Sequence, residues 1–137
     1  MPGPVNIEDC FDRFSDTFSP KIVAELNSQH VKLVRLEGDK VPWHIHNDED
    51  ELFYVIGGEL DILTRVETTA KVGGSNESRA EEVVTLHAGE FYVVARGCEH
   101  RVVPHGHVKL MLFEPAGIAH TGKVRVEITQ DEYSWLE

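Results

Sequence analysis

After Pro20, hydrophobic residues fall in short runs rich in β-branched and aromatic side chains, and polar breaks of Asn, Asp, Gly and Pro separate the runs. About nine strands, with a turn roughly every ten residues, indicate an antiparallel sandwich or barrel. The runs are, in order, KIVAEL, HVKLVRLE, ELFYVIGG, ELDILTRV, EEVVTLH, EFYVVA, HRVV, VKLMLFE and VRVEIT.

A different pattern precedes the strands. Ile7, Cys10, Phe11 and Phe14 are spaced i, i+3, i+4 and i+7, with Asn6 as a candidate cap and acidic residues in the first turn. This spacing predicts a short amphipathic helix whose apolar stripe packs on the strands.

One predicted connection is too long for a hairpin turn. Residues 67–80, ETTAKVGGSNESRA, are small, polar and glycine-containing, with little to bury. They are interpreted as a mobile loop that extends a hairpin, and the sequence leaves open whether it covers a site or only meets solvent.

The overall composition narrows the function classes. A length of 137 residues suits one domain with its own core, and 24 acidic against 13 basic residues give a net charge of -11. That charge argues against nucleic acid and anionic membranes as partners. Two distant cysteines without framework spacing, no secretory leader pattern and no long apolar stretch predict a cytoplasmic protein with free thiols.

The stretch WHIHNDEDELFY contains a candidate metal site. On a strand, His44 and His46 point to the same side and can share one ion. Glu51 would face away on a straight strand, but the NDED segment has turn chemistry and can return Glu51 toward the histidines. Taken singly, each of these residues has an ordinary alternative as a solvated side chain on an exposed strand.

Further candidates follow from strand parity. His100 begins an apolar strand after the Arg96-Gly97 break and could join the others only through tertiary pairing. Phe53 and Val55 share the side of Glu51, and Val102 shares that of His100, so they line a pocket or simply fill the core. Cys98 has the parity of His100 and is a weaker candidate for lining the pocket or for a redox or metal-ligand role.

A second HxH pair, His105 and His107, flanks Gly106, which is interpreted as marking a loop. Since no acidic residue nearby completes a ligand set, these histidines are predicted to be surface residues. One of them could still reach the site as a base.

The same residues resemble the first motif of the cupin superfamily, G-x5-HxH-x3,4-E-x6-G. Gly38, His44, His46, Glu51 and Gly58 satisfy every spacing. The second motif, G-x5-PxG-x2-H-x3-N, is matched at Gly89, Gly97 and His100, with Ala95 and Pro104 in place of the usual proline and asparagine. The chain is therefore identified as similar to small single-domain cupins of the cupin 2 type.

This resemblance implies an all-β fold, a small jelly-roll barrel with a short N-terminal helix. It implies one domain over residues 1–137, with the helix and lead-in strand in 1–29, the barrel motifs in 30–114 and a C-terminal extension in 115–137. It also implies a homodimer, because cupins commonly pair through barrel strands.

By the same resemblance, the metal ligands are His44, His46, Glu51 and His100. Three imidazoles and one carboxylate suit Fe, Mn, Ni, Co or Zn, and four protein ligands leave an octahedral ion two open positions. The implied function is a metal-dependent enzyme acting on a small polar molecule, of dioxygenase or isomerase/epimerase type. A non-catalytic module that binds a sugar or acid is the alternative, and a barrel without metal is a third reading.

Overall fold

The structure is a computed structural model that describes residues 3–68, 78–116 and 133–137. The elements in this part are α1 (Ile7–Phe11), β1 (Lys21–Leu26), β2 (Gln29–Leu36), β3 (Glu51–Thr68), β4 (Ser78–His87), β5 (Phe91–Val94), β6 (Glu99–Pro115) and β7 (Ser134–Trp135). The predicted all-β class with a short N-terminal helix is confirmed. No helix among the described residues combines the length and hydropathy needed to span a membrane.

The strand boundaries differ from the prediction in three places. Strands β3 and β6 are each continuous where the sequence predicts two strands, because the register shifts around Gly57 and Gly58 do not end the pairing between them. The predicted loop over 67–80 is shorter than expected, since β3 continues to Thr68 and β4 begins at Ser78. The rest of that loop and the predicted strand 124–129 lie outside the described residues.

The strands form one sheet in the order β4-β3-β6-β2-β1-β7, and β5 pairs with the first four residues of β3, ahead of the segment that pairs with β4. All these pairs are antiparallel except that of β1 with β7. The two long strands, β3 and β6, pair along most of their length. Glu51, the first residue of β3, and His100, the second residue of β6, therefore both lie on inner strands of the sheet.

Alternation along the strands separates an inner face from an outer one. On β6 the even-numbered residues from His100 to Glu114 point inward, apart from the exposed stretch 105–107. On β3 the buried positions are odd up to Val55 and even from Leu60 onward. A bulge at Gly57 and Gly58 causes this change of parity, so both halves of β3 contribute to the same core.

Position 58 requires glycine for two reasons, its backbone conformation and the closeness of the opposite strand. Its φ angle is +90°, a region that favours glycine, and a Cβ atom there would lie 2.5 Å from the carbonyl oxygen of His107. The close approach of β3 and β6 at this bulge therefore depends on the absent side chain.

The short helix covers part of the outer face of the sheet. Asn6 caps it by accepting a hydrogen bond from the amide of Asp9 at 3.0 Å. Cys10 and Phe11 are buried against Leu33 of β2 in a second apolar cluster. The predicted amphipathic helix is thus confirmed, and it leaves the inner face of the sheet to the candidate site.

Candidate metal centre

Four side chains from three parts of the chain converge on the inner face. His44 and His46 precede β3, Glu51 is the first residue of β3, and His100 is the second of β6. Each offers one ligand atom, and these atoms lie within 4.8 Å of one another. All four residues are buried, between 1% and 4% exposed.

Two backbone contacts hold the histidine segment in place. His44 and His100 form an isolated β-bridge in which each amide donates to the other residue's carbonyl at 2.9 Å. The amide of Gly97, whose φ angle is +78°, donates to the carbonyl of His46 at 2.8 Å. The predicted strand through His44 and His46 is wrong, because only this bridge forms, but both rings still face the site. The predicted start of the next strand at Glu51 is confirmed.

Each histidine ring is oriented through its Nδ1 atom. The acceptors are the carbonyl of Pro42 for His44 at 2.8 Å, the carboxylate of Glu49 for His46 at 3.1 Å, and the carbonyl of Cys98 for His100 at 2.9 Å. A carbonyl oxygen can only accept, so Nδ1 carries the proton and the lone pair of the neutral ring is on Nε2. This is the tautomer in which a histidine can bind a metal through Nε2.

The Nε2 atoms face the carboxylate of Glu51. Nε2 of His100 lies 3.7 Å from Oε1 of Glu51, and Nε2 of His46 lies 3.9 Å from Oε2. Two atoms that bind one cation at about 2.1 Å each are no more than about 4.2 Å apart. Both Nε2 atoms are buried and have no hydrogen-bond partner in the described part of the chain. These residues fit a divalent cation, which would satisfy both atoms.

Burial sets the direction of the pKa shifts in the site. It lowers the pKa of His46 and of His100 below 6.5, which favours the neutral rings that bind metal. It raises the pKa of Glu51 above 4.5, against the partial compensation of neighbouring Glu114 and Lys32. Without a cation, burial therefore disfavours the charged forms of His46, His100 and Glu51.

Sequence reasoning missed two charged residues beside the site. Lys32 and Glu114 are completely buried, and Nζ of Lys32 donates to Oε1 of Glu114 at 2.9 Å. Burial and the adjacent Glu51 raise the pKa of Glu114 well above 4.5. Strand parity carried the signal, because Lys32 shares the inner face of β2 with Val34, and Glu114 shares that of β6 with Leu112.

A small cavity of about 30 Å³ adjoins His44 and Glu51. Phe53 and Val102, two of the predicted pocket residues, line it. Its other walls are apolar and come from Phe18, Pro20, Val34, Leu36, Val41, Leu110 and Leu112. No lysine or arginine is among these lining residues, so the cavity is suited to an uncharged group.

The remaining predicted residues lie elsewhere. Val55 is fully buried in the core, and Cys98 packs against the same core, but neither lines the cavity. Cys98 contributes its carbonyl, while burial raises the pKa of its thiol. His105 and His107 are exposed, as predicted, but they lie on β6 rather than in a loop. Their rings contact Asp61 and Arg35, and neither histidine belongs to the cluster of four.

Comparison with known proteins agrees with this geometry. The family model described as "Cupin domain" matches residues 33–115, which is more than half of the chain. The chain belongs to the cupin family. The small jelly-roll barrel predicted from the sequence is therefore confirmed.

Three relatives illustrate the range of similarity. A cupin-2 domain protein of Shewanella frigidimarina is 37% identical with a TM-score of 0.65, covering 81% of this chain and 93% of that one. The uncharacterized protein YdbB of Bacillus subtilis is 38% identical over 71 residues, 52% of this chain, and the match spans only 61% of YdbB. The hydroquinone 1,2-dioxygenase PnpCD, solved with Cd2+ and 4-hydroxybenzonitrile, is 18% identical with a TM-score of 0.60, covering 82% of this chain and 72% of that one. The last likeness concerns the fold alone.

Proposed function

We propose that this cupin is a divalent-metal-dependent enzyme that acts on a small molecule, with His44, His46, Glu51 and His100 as its metal ligands. The observation that carries the proposal is the buried convergence of three correctly oriented imidazoles on one carboxylate. A bound cation would supply a Lewis acid with open positions for substrate or oxygen. A structural site needs no such opening onto a cavity.

Between the two reaction types implied by the family resemblance, the cavity favours the dioxygenase type. An isomerase or epimerase that moves a proton between carbons needs a base within reach of the substrate. Among the described lining residues, only His44 and Glu51 can titrate, and both are occupied as ligands. A dioxygenase reaction at the metal depends less on a separate protein acid or base, so it agrees better with this lining.

The lining also bears on the substrate. The polar end of the molecule would bind at the ligand cluster. The cavity of about 30 Å³ has room for only a few atoms, and its walls at Phe53, Val102 and Leu110 suit a small apolar, uncharged group. A sugar phosphate would find no cation among these residues to match its charge.

Oxygen uptake tests the enzymatic proposal. Chelator-stripped protein is loaded with Fe(II) and given a panel of diols, thiols and keto-acids. We expect at least one compound to cause stoichiometric oxygen consumption that His46→Ala abolishes. Absence of uptake across the panel, with iron demonstrably bound, would count against the dioxygenase assignment.

A non-catalytic module that binds a sugar or acid is the second candidate, and the lack of a separate base in the described lining favours it too. A compound that raises the melting temperature of the metal-loaded protein and is recovered unchanged would support this candidate. A compound that is converted would support the enzyme.

Pairing of two copies is part of the proposal. Val83 on β4 and Phe91 and Val93 on β5 are exposed hydrophobic residues on strands that both pair with β3. A second copy covering them would remove this apolar surface from water. We expect a dimeric mass in solution, and a monomeric mass would remove this part of the proposal.

The free thiols of Cys10 and Cys98 fit a reducing compartment such as the cytoplasm.

A further inference from the structure

The two buried charges beside the site, Lys32 and Glu114, have no role in the ligand set described above. Both side chains are 0% exposed, and the distance between Nζ and Oε1 is 2.9 Å. Lysine and glutamate are almost never fully buried unless paired. A buried ion pair is also weak evidence for stability, because well-packed apolar residues of similar volume often serve as well or better. The pair therefore calls for an explanation other than stability.

Strand register brings Glu114 next to a proposed metal ligand. Leu52 of β3 pairs with Phe113 of β6, so the next position of the same ladder sets Glu51 opposite Glu114. Both residues belong to the inward-facing set of their strands. Directly opposed residues have Cβ atoms about 4.5–5.5 Å apart, within reach of side-chain contact. The charge of Glu114 also acts on His46 and His100.

Lys32 is held from a second side. Its side chain lies on the inner face of β2, and Nζ sits 3.9 Å from the centre of the Tyr133 ring. The carboxylate and the ring face thus fix the ammonium group in place without solvent. An ammonium group held in this way fixes the position of the Glu114 carboxylate in turn.

We propose that Glu114, anchored by Lys32, is an outer carboxyl group of the metal site, which holds Glu51 toward the histidines and, once ionised, adds negative charge beside the divalent cation. This inference rests on the proposed metal-binding function. It adds two positioning residues that do not themselves bind the cation.

The metal affinities of three variants should follow a definite order, because charges close to a buried cation interact with it strongly where water does not screen them. Glu114→Gln leaves the Lys32 cation uncompensated beside the site, so the affinity for Co2+ should fall about 10- to 100-fold, the range for such outer partners. Lys32→Met removes the anchor of the Glu114 carboxyl group, so its affinity should also fall, but less than that of Glu114→Gln, because no unpaired ammonium group is left beside the site. The double variant removes both charges and should lie between the wild type and Glu114→Gln.

The experiment is titration of chelator-stripped, full-length protein with Co2+, followed by visible absorption and by competition with a chromophoric chelator. Melting temperatures with and without Co2+ are measured in parallel. A merely structural role would lower the metal-free melting temperature but leave the Co2+ affinity unchanged, whereas the proposal requires the affinity to move. If Lys32→Met does not fold, Glu114→Gln and the double variant still decide the question.

Asp16→Asn is the matched control, because it removes one carboxylate from a Lys21 ion pair, also 2.9 Å long, at the protein surface. Its Co2+ affinity should equal that of the wild type. A Glu114→Gln affinity within about twofold of the wild type would overturn the inference while leaving the metal site intact. A wild type that fails to bind Co2+ would instead overturn the proposed function itself.

Discussion

The orientation of a single ring illustrates how individual residues prepare the site. The carboxylate of Glu49, three residues from His46, accepts a hydrogen bond from Nδ1 of that ring, which directs Nε2 toward Glu51. The other two proposed ligand histidines depend on backbone carbonyls, which no side-chain substitution can delete. His46 is therefore the proposed ligand whose orientation can be tested by mutating its partner.

We expect Glu49→Ala to lower the affinity for a divalent metal about 10- to 100-fold, because the partner that fixes the tautomer and the ring of His46 is lost. Equilibrium dialysis against Co2+ measures the change. Asp48→Ala removes the same charge one residue earlier, from a side chain that is not the acceptor of any ligand histidine, and should have little effect. Equal losses in both variants would mean that general charge, rather than ring orientation, is responsible.

Single residues were only partly predictable. His44, His46, Glu51 and His100 carry fixed spacings that can be recognised in the sequence. Lys32 and Glu114 carry none, and a charged residue within a strand is usually assigned to the solvent face. Strand parity places both residues on the inner face, but the pairing of β2 with β6 that brings them together is not contained in the one-dimensional pattern.

At the scale of elements, the bulge in β3 decides which residues reach the core. Without it, the odd positions up to Val55 and the even positions from Leu60 could not face the same side. Gly58 makes the bulge possible through its positive φ angle and its contact with the backbone of β6. The sequence indicated a break here, since glycine often ends a strand, but only the pairing partners determine that the strand continues.

We expect Gly58→Ala to lower the free energy of unfolding by roughly 1–3 kcal/mol or more, because the added Cβ would meet the His107 carbonyl and the backbone would be strained. Urea denaturation measures it. Gly57→Ala is the control, as the nearest atom to its new Cβ would be the flexible side chain of Lys109 at 3.8 Å. If the two variants were equally stable, the close approach of β3 and β6 at Gly58 would be contradicted.

The histidine segment shows the limit of reasoning from strands. An HxH pair was expected on a strand, and the turn after it was expected to return Glu51. Instead, one bridge from His44 to His100 and one hydrogen bond from Gly97 hold an irregular segment in place. The convergence was predictable because the ligand spacing constrains it, whereas the local backbone was not.

At the scale of the whole molecule, the buried site couples metal binding and folding to pH. The pKa values of His46 and His100 lie below 6.5, so in the metal-free protein their contribution to stability is present above pH 6.5 and lost as the pH falls through the lowered values. The pKa of Glu51 lies above 4.5, so its contribution is present below pH 4.5 and lost as the pH rises through the raised value.

Metal affinity should accordingly fall as the pH is lowered from 6.5 to 4.5, because protons then compete for both imidazoles and for the Glu51 carboxylate. Co2+ titrations across this window measure the effect. An affinity that stays constant down to pH 4.5 would exclude these residues as ligands.

The central claim is that the four buried residues bind a divalent metal. Elemental analysis of protein purified without chelator, beside His46→Ala prepared in the same way, tests it most directly. We predict about one divalent ion per chain in the wild type and much less in the variant, since removing one ligand weakens a site built from four. A metal-free wild type that also fails to bind added metal, or a variant that retains as much metal as the wild type, would contradict the claim.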